Sequence, residues 1–120
     1  MGEIRDRALL LRRIPYGDSS LVIHLLTEHH GVLSLMARGA RRAKSPLRAA
    51  LEPLYALSVA WRAGRTGMGT LTDIERHEPL LPPALAGAGL QLVALAAALY
   101  REGDPHGFVE LHRGLHLLAP

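Results

Sequence analysis

Five short apolar runs, each fenced by turn residues, fill the first 80 positions, and this pattern limits the fold more than any other feature of the chain. They lie at residues 7–14 (RALLLRRI), 19–27 (SSLVIHLLT), 32–38 (VLSLMAR), 51–62 (LEPLYALSVAWR) and 68–79 (MGTLTDIERHEP). Most alternate with period two, the signature of a half-buried strand. Leu21, Ile23 and Leu25 oppose Val22, His24 and Leu26; Leu33, Leu35 and Ala37 oppose Val32, Ser34 and Met36. Tyr55, Leu57, Val59 and Trp61 share a face, and Thr70, Thr72 and Ile74 alternate against Leu71, Asp73 and Glu75. Pro15-Tyr16-Gly17-Asp18, Glu28-His29-His30-Gly31 and Ala63–Gly67 read as turns. The texture changes at Pro79. Pro82-Pro83 punctuates the chain, and residues 84–101 are Ala/Leu-rich and helical in propensity, with Gly87 and Gly89 small enough for close helix packing. Asp104-Pro105 suits a helix start, and Phe108, Leu111, Leu115 and Leu118 fall on one helical face. The expected fold is mainly β: five short antiparallel strands closing a small barrel over residues 1–80, then a partial helical domain of two helices over 81–120. The OB-fold is the common five-stranded barrel that binds nucleic acid; strand count alone leaves an SH3-like barrel open.

Charge is concentrated between the third and fourth runs. ARGARRAKSPLR, residues 37–48, carries Arg38, Arg41, Arg42, Lys44 and Arg48 with no acid among them. Twelve of the 14 Lys/Arg and eight of the 11 acids lie in residues 1–80, so the basic character belongs to the strand-rich part. Gly39, Ser45 and Pro46 disfavour a long helix here, although Leu47–Leu51 fits a single turn of one. Five cations in one connection repel each other and do nothing for an isolated domain; such a patch usually meets a polyanion, most often nucleic acid. Arginine's planar fork suits phosphate oxygens, and lysine acts as a point charge. Arg12, Arg13, Arg62 and Arg65, at strand ends, would extend the groove. Five phosphate contacts on a single strand imply a log–log salt slope of about −3.5. Charge reversal at Arg41 and Arg42 is expected to abolish binding and leave the fold intact. Tyr16 is the candidate for base stacking, whereas Tyr55 and Trp61 are expected in the core. Scarce aromatics favour backbone-directed binding with little sequence preference.

Several function classes are disfavoured. The chain has no cysteine, which excludes a disulfide framework and a Cys-based zinc site and fits a reducing cytoplasm. No signal-peptide pattern or membrane-length apolar run is present, so a soluble, cytoplasmic protein is expected, nucleoid-associated through the DNA that its basic stretch would meet. His112 and His116 have helical i, i+4 spacing but lack an evident third ligand, so no metal is expected. Gly64–Gly69 matches no phosphate-loop pattern, and no nucleophile–base arrangement stands out. No catalytic residue and no cofactor are expected.

RIPYGDSS, the LLTEHHG turn, GTLTDIERHEP and above all ARGARRAKSPLRAALEP resemble the N-terminal domain of the RecO family of bacterial recombination mediators. The resemblance covers roughly residues 5–100. It implies an OB-fold followed by a helical domain, binding of single- and double-stranded DNA, annealing of complementary strands, and no enzymatic bond-making. It further implies partnership with RecR, often RecF, in loading RecA onto DNA coated by single-stranded DNA-binding protein. Family members are longer, with a fuller helical domain that recognises the tail of the coating protein and, in many, a Cys-rich zinc segment. Two other readings stand beside this one: a protein-interaction OB module docking to a repair partner or an acidic peptide, and an RNA-binding barrel, since phosphate contacts do not report the 2′-hydroxyl.

Overall fold

The protein is described here from a computed structural model, in which residues 2–65, 67–99, 108, 111–113 and 115 are placed. Five strands, β1 (Ile4–Tyr16), β2 (Ser20–Thr27), β3 (Gly31–Ala37), β4 (Tyr55–Arg62) and β5 (Gly69–Pro79), form a closed barrel in the order β1-β2-β3-β5-β4. A short helix, α1 (Pro46–Ala50), lies in the β3–β4 connection; a 3₁₀ turn (Pro83–Leu85) leads into α2 (Ala86–Leu99). This is a five-stranded OB-like barrel followed by short helices.

The strands are not all antiparallel. β3 and β5 run parallel, with Leu35 beside Gly69 and Met36 beside Thr70. Parity demands such a pair: a closed ring with an odd number of strands cannot alternate direction all the way round. Gly69 permits the closure, because a Cβ there would lie 2.6 Å from the Arg62 carbonyl oxygen and 3.1 Å from Leu35 Cδ2.

Three irregularities break the pairing, one of them at the start of β4 between Tyr55 and Leu57, and the other two shift the faces. The β1–β2 register slips between Leu10 and Arg12, so Leu11 is the extra residue, Arg12 pairs with His24 and Arg13 with Ile23. The β4–β5 register slips between Ala60 and Trp61, which leaves Thr72 unopposed and brings Ile74 to the core beside Leu71. A bulge adds one residue to one strand and inverts the alternation beyond it. Boundaries move as well. Pro15 and Tyr16 pair with Leu21 and Ser20, so the expected four-residue turn shrinks to Gly17–Ser19, while residues 51–54 belong to the connection rather than to β4.

The barrel interior holds Ala8, Leu10, Ile23, Leu25, Leu35, Leu57, Val59, Trp61 and Leu71. Each fully buried aliphatic side chain contributes about 1.5–3 kcal/mol. A second cluster forms outside the barrel, where Leu9, Leu11, Leu26 and Val32 meet Val93 and Ala96 of α2 and Leu81. Gly89 lets the helix approach closely: a Cβ there would meet Leu81 Cδ1 at 2.4 Å and Leu54 Cδ2 at 3.0 Å. Phe108, Leu111 and Leu115 are helical in conformation and buried in this cluster, as their spacing suggested; Leu118 and His116 lie outside the described residues. Leu90, Leu95 and Leu99 remain exposed on α2. No helix among the described residues is long and apolar enough to cross a membrane.

Candidate nucleic-acid interface

The basic connection is pinned to one mouth of the barrel. Ala40 and Leu51 are completely buried, and Leu47 packs against the same core. Between them Ser45 caps α1, its hydroxyl accepting from the Leu47 N–H at 3.2 Å, and Pro46 opens the helix. Ser-Pro suits this role because the serine oxygen satisfies a free N–H and proline has none to lose. From the other side Arg76 of β5 donates Nη1 to the Ala49 carbonyl at 3.2 Å and lies over the Tyr55 ring at 4.5 Å. Hydrophobic plugs therefore fix the backbone while the charged side chains point outward.

These cations divide into two groups. Arg41 is bound to the β1–β2 turn: its backbone N–H donates to Ser19 O at 2.8 Å, its Nε to Ser20 O at 3.0 Å, and its Nη2 to Gly17 O. Arg13 reaches across to the end of the same connection, donating Nη1 to Leu51 O and lying 3.9 Å from Glu52. Both arginines staple the mouth. By contrast Arg38, Arg42, Lys44 and Arg48 are exposed and, among the described residues, make no ion pair and no side-chain hydrogen bond. Arg13, Arg41 and Arg48 line an open cleft of about 790 Å³ between the β1–β2 hairpin and α1, floored by Pro15, Leu21 and Ala40.

The remaining expected contacts lie off this cleft. The bulge at Leu11 turns Arg12 to the outer face beside His24, at a shallow groove under Leu90 and Val93 of α2. Arg62 faces Thr70, which pairs with Met36, two residues before Arg38; Arg65 is exposed in the β4–β5 turn. Strand pairing thus carries a continuous outer row, Ile14–Val22–Met36–Thr70–Arg62, from β1 to β4. Tyr16, at the rim, is 58% exposed and Ile14 is 39% exposed, whereas Trp61 is buried and Tyr55 half-buried under Arg76. The ring expected to be free is free, and the two expected to pack do so.

A second polar constellation, missed from the sequence, closes the opposite mouth. Asp6 points into the barrel end with its side chain 2% exposed. Its carboxylate accepts from the backbone N–H groups of Arg7 and His29, both at 2.8 Å, and contacts His29 Nδ1 at 3.0 Å and His30 Nδ1 at 2.8 Å. His30 stands edge-on to Trp61 at 5.2 Å, and Arg7 pairs with Glu28. Burial pushes the Asp6 carboxyl upward, but the hydrogen bonds from His30, His29 and the backbone outweigh it and hold the group below the usual carboxylate range. Its bond to Asp6 raises His29, and its bond to Arg7 lowers Glu28. In the sequence Glu28-His29-His30-Gly31 shows only as a turn, because Asp6 lies 23 and 24 positions from the two histidines. The one available signal was an aspartate on an inward-facing strand position.

Comparison with known proteins bears on the whole barrel. Residues 1–80 match the family model described as Recombination protein O N terminal. The DNA repair protein RecO of Laribacter hongkongensis is 38% identical over 105 residues, covering 84% of this chain and 42% of the relative. That of Salinibacter ruber is 36% identical over 124 residues, covering 96% of this chain and 47% of the relative. The RecO of Actinobacillus pleuropneumoniae serotype 7 is 37% identical over 94 residues, covering 78% and 36%. The chain spans less than half the length of these relatives. With a family pattern running from the first residue to the last strand of the barrel, the chain belongs to the RecO family.

Proposed function

We propose that this chain binds DNA through the α1-closed mouth of its barrel, as the DNA-contacting part of a RecO-type recombination mediator acting in repair. The observation that supports this most is the pinned connection with four exposed cations, Arg38, Arg42, Lys44 and Arg48, that have no partner among the described residues. Folding gains nothing from leaving them unpaired, and a phosphate backbone would neutralise them. Arg41 and Arg13 shape the cleft, and Arg12, Arg62 and Arg65 extend the positive surface across the outer face. The contacts are to phosphates, so both single and double strands are ligands, without sequence preference. Annealing follows from holding two strands through their backbones with bases left free to pair. Assistance to RecR in loading RecA onto strands coated by single-stranded DNA-binding protein is the further role that family membership supports. The chain acts by binding and makes no bonds.

The test is fluorescence anisotropy with bare single- and double-stranded oligonucleotides and no partner protein, repeated across a salt series. Binding to both that weakens steeply with salt is the expected result. No binding to either, with retention on an acidic peptide, would overturn it in favour of a protein-docking module. A clear preference for RNA of the same sequence would assign the barrel to RNA instead.

A further inference from the structure

The mouth closed by the β2–β3 turn contains more polar chemistry than the turn needs. Thr27 already accepts from the His30 N–H at 3.0 Å and donates to Gly31 O at 2.7 Å. Asp6 ties down the His29 backbone, and His30 packs on Trp61. The His29 ring is left over: it is 70% exposed, adds nothing to the core, and sits between two carboxylates, with Nδ1 3.0 Å from Asp6 Oδ1 and Nε2 3.4 Å from Glu28 Oε1. One donor atom each from Asp6, Glu28 and His29 lie within 4.8 Å of one another.

We propose that Asp6, Glu28 and His29 form a binding site for a divalent transition metal of the zinc type. Metal–ligand bonds of about 2.0–2.2 Å place neighbouring donors roughly 3–4 Å apart. One imidazole nitrogen serves one ion, so His29 ligates through Nδ1 beside Asp6, and Glu28, which now faces Nε2, turns to that side to complete the set. Asp6 needs no adjustment, because two backbone N–H groups hold it in place. His30 Nδ1 on the second Asp6 oxygen plays the orienting part that outer hydrogen bonds play around metal ligands. An imidazole with two carboxylates suits zinc better than magnesium or calcium, which favour all-oxygen sets. Arg7 holds both Glu28 oxygens, Nε donating to Oε1 and Nη2 to Oε2; ligation through Oε1 gives up the first bond and keeps the second. The site is independent of the DNA-binding reading: it lies at the other mouth and uses none of the same residues.

The experiment is isothermal titration of the whole chain with ZnCl₂ in chelator-free buffer, alongside His29→Gln, His112→Gln and Asp6→Asn. Wild type and His112→Gln are expected to bind one equivalent alike, His29→Gln to bind at least tenfold more weakly, and MgCl₂ to give no binding. His29 is a surface side chain, so its variant keeps the fold even where Asp6→Asn does not. A parallel NMR titration should shift the His29 imidazole resonances first. No zinc binding by wild type, equal binding by His29→Gln, or equal binding of Mg²⁺ would each overturn the proposal.

Discussion

The two mouths of the barrel are both rich in charge, and they use it in opposite ways. At the mouth closed by the β2–β3 turn, Asp6, Arg7, Glu28, His29 and His30 satisfy one another around a nearly buried carboxylate. At the mouth closed by α1, apolar plugs hold the backbone, Arg13 and Arg41 staple it to the neighbouring strands, and four cations have no partner among the described residues. The paired groups hold their turn whether or not a metal joins them; charge of one sign without partners among the described residues, held on a rigid frame, calls for a partner from outside. The charged residues therefore divide by bonding state rather than by sequence neighbourhood, and Arg41 and Arg42, adjacent in the chain, have different roles.

The comparison can be broken in several places. The largest effect is expected from Leu51→Ala at the α1-closed mouth, about 2–5 kcal/mol of stability by chemical denaturation. Because Leu51 anchors the connection, DNA affinity should fall with it. Asp6→Ala at the other mouth should cost about 1–3 kcal/mol, since the Arg7 and His29 N–H groups lose their acceptor, yet leave DNA affinity of the folded protein unchanged. A large loss of DNA binding by folded Asp6→Ala would dissolve the distinction between the mouths. Smaller still, Arg41→Ala should cost about 1 kcal/mol by unpinning the connection from Gly17 and Ser20, whereas Arg42→Ala should stay within about 0.5 kcal/mol. Equal stability of the two variants would remove the staple. Charge reversal at Arg41 is therefore expected to lower stability as well as DNA binding, and charge reversal at Arg42 to lower DNA binding alone.

A pH series on metal-free protein sharpens the same contrast. Asp6 and Glu28 are lowered in the folded state, so their contribution is present above their unfolded values and lost as pH falls through the folded ones. His29 is raised, so its contribution is complete below its unfolded value and lost as pH rises through the folded one. Stability from this mouth should therefore be greatest between about pH 4 and pH 6.5. In His29→Gln the decline on the alkaline side of that window should vanish; its persistence would show that His29 does not supply it.

Much of the barrel was legible from residues 1–80 because alternation and turn chemistry are local. Five strands, the buried Trp61, the exposed Tyr16 and the helical turn after Ser45-Pro46 all follow from nearest neighbours along the chain. The parallel β3–β5 closure was not read, though it follows from an odd strand count once closure is assumed. The bulges at Leu11 and Thr72 were illegible because a single inserted residue leaves no mark on composition; it only moves Arg13 and Ile74 to the other face. The candidate interface was legible as a set of cations but not as a division of labour, since the bonds of Arg41 run to carbonyls 21 and 24 residues away. The Asp6 cluster joins residues just as distant, and strand pairing brings them together.

The central claim is that Arg38, Arg42, Lys44 and Arg48, without partners among the described residues, are there to meet DNA phosphates. The direct measurement is the salt dependence of single-stranded DNA affinity for wild type and for the quadruple Ser variant, with melting temperatures taken in parallel. Four lost contacts should make the log–log slope shallower by about 2.8, with melting unchanged. An unchanged slope, or a variant that melts markedly lower, would contradict the account.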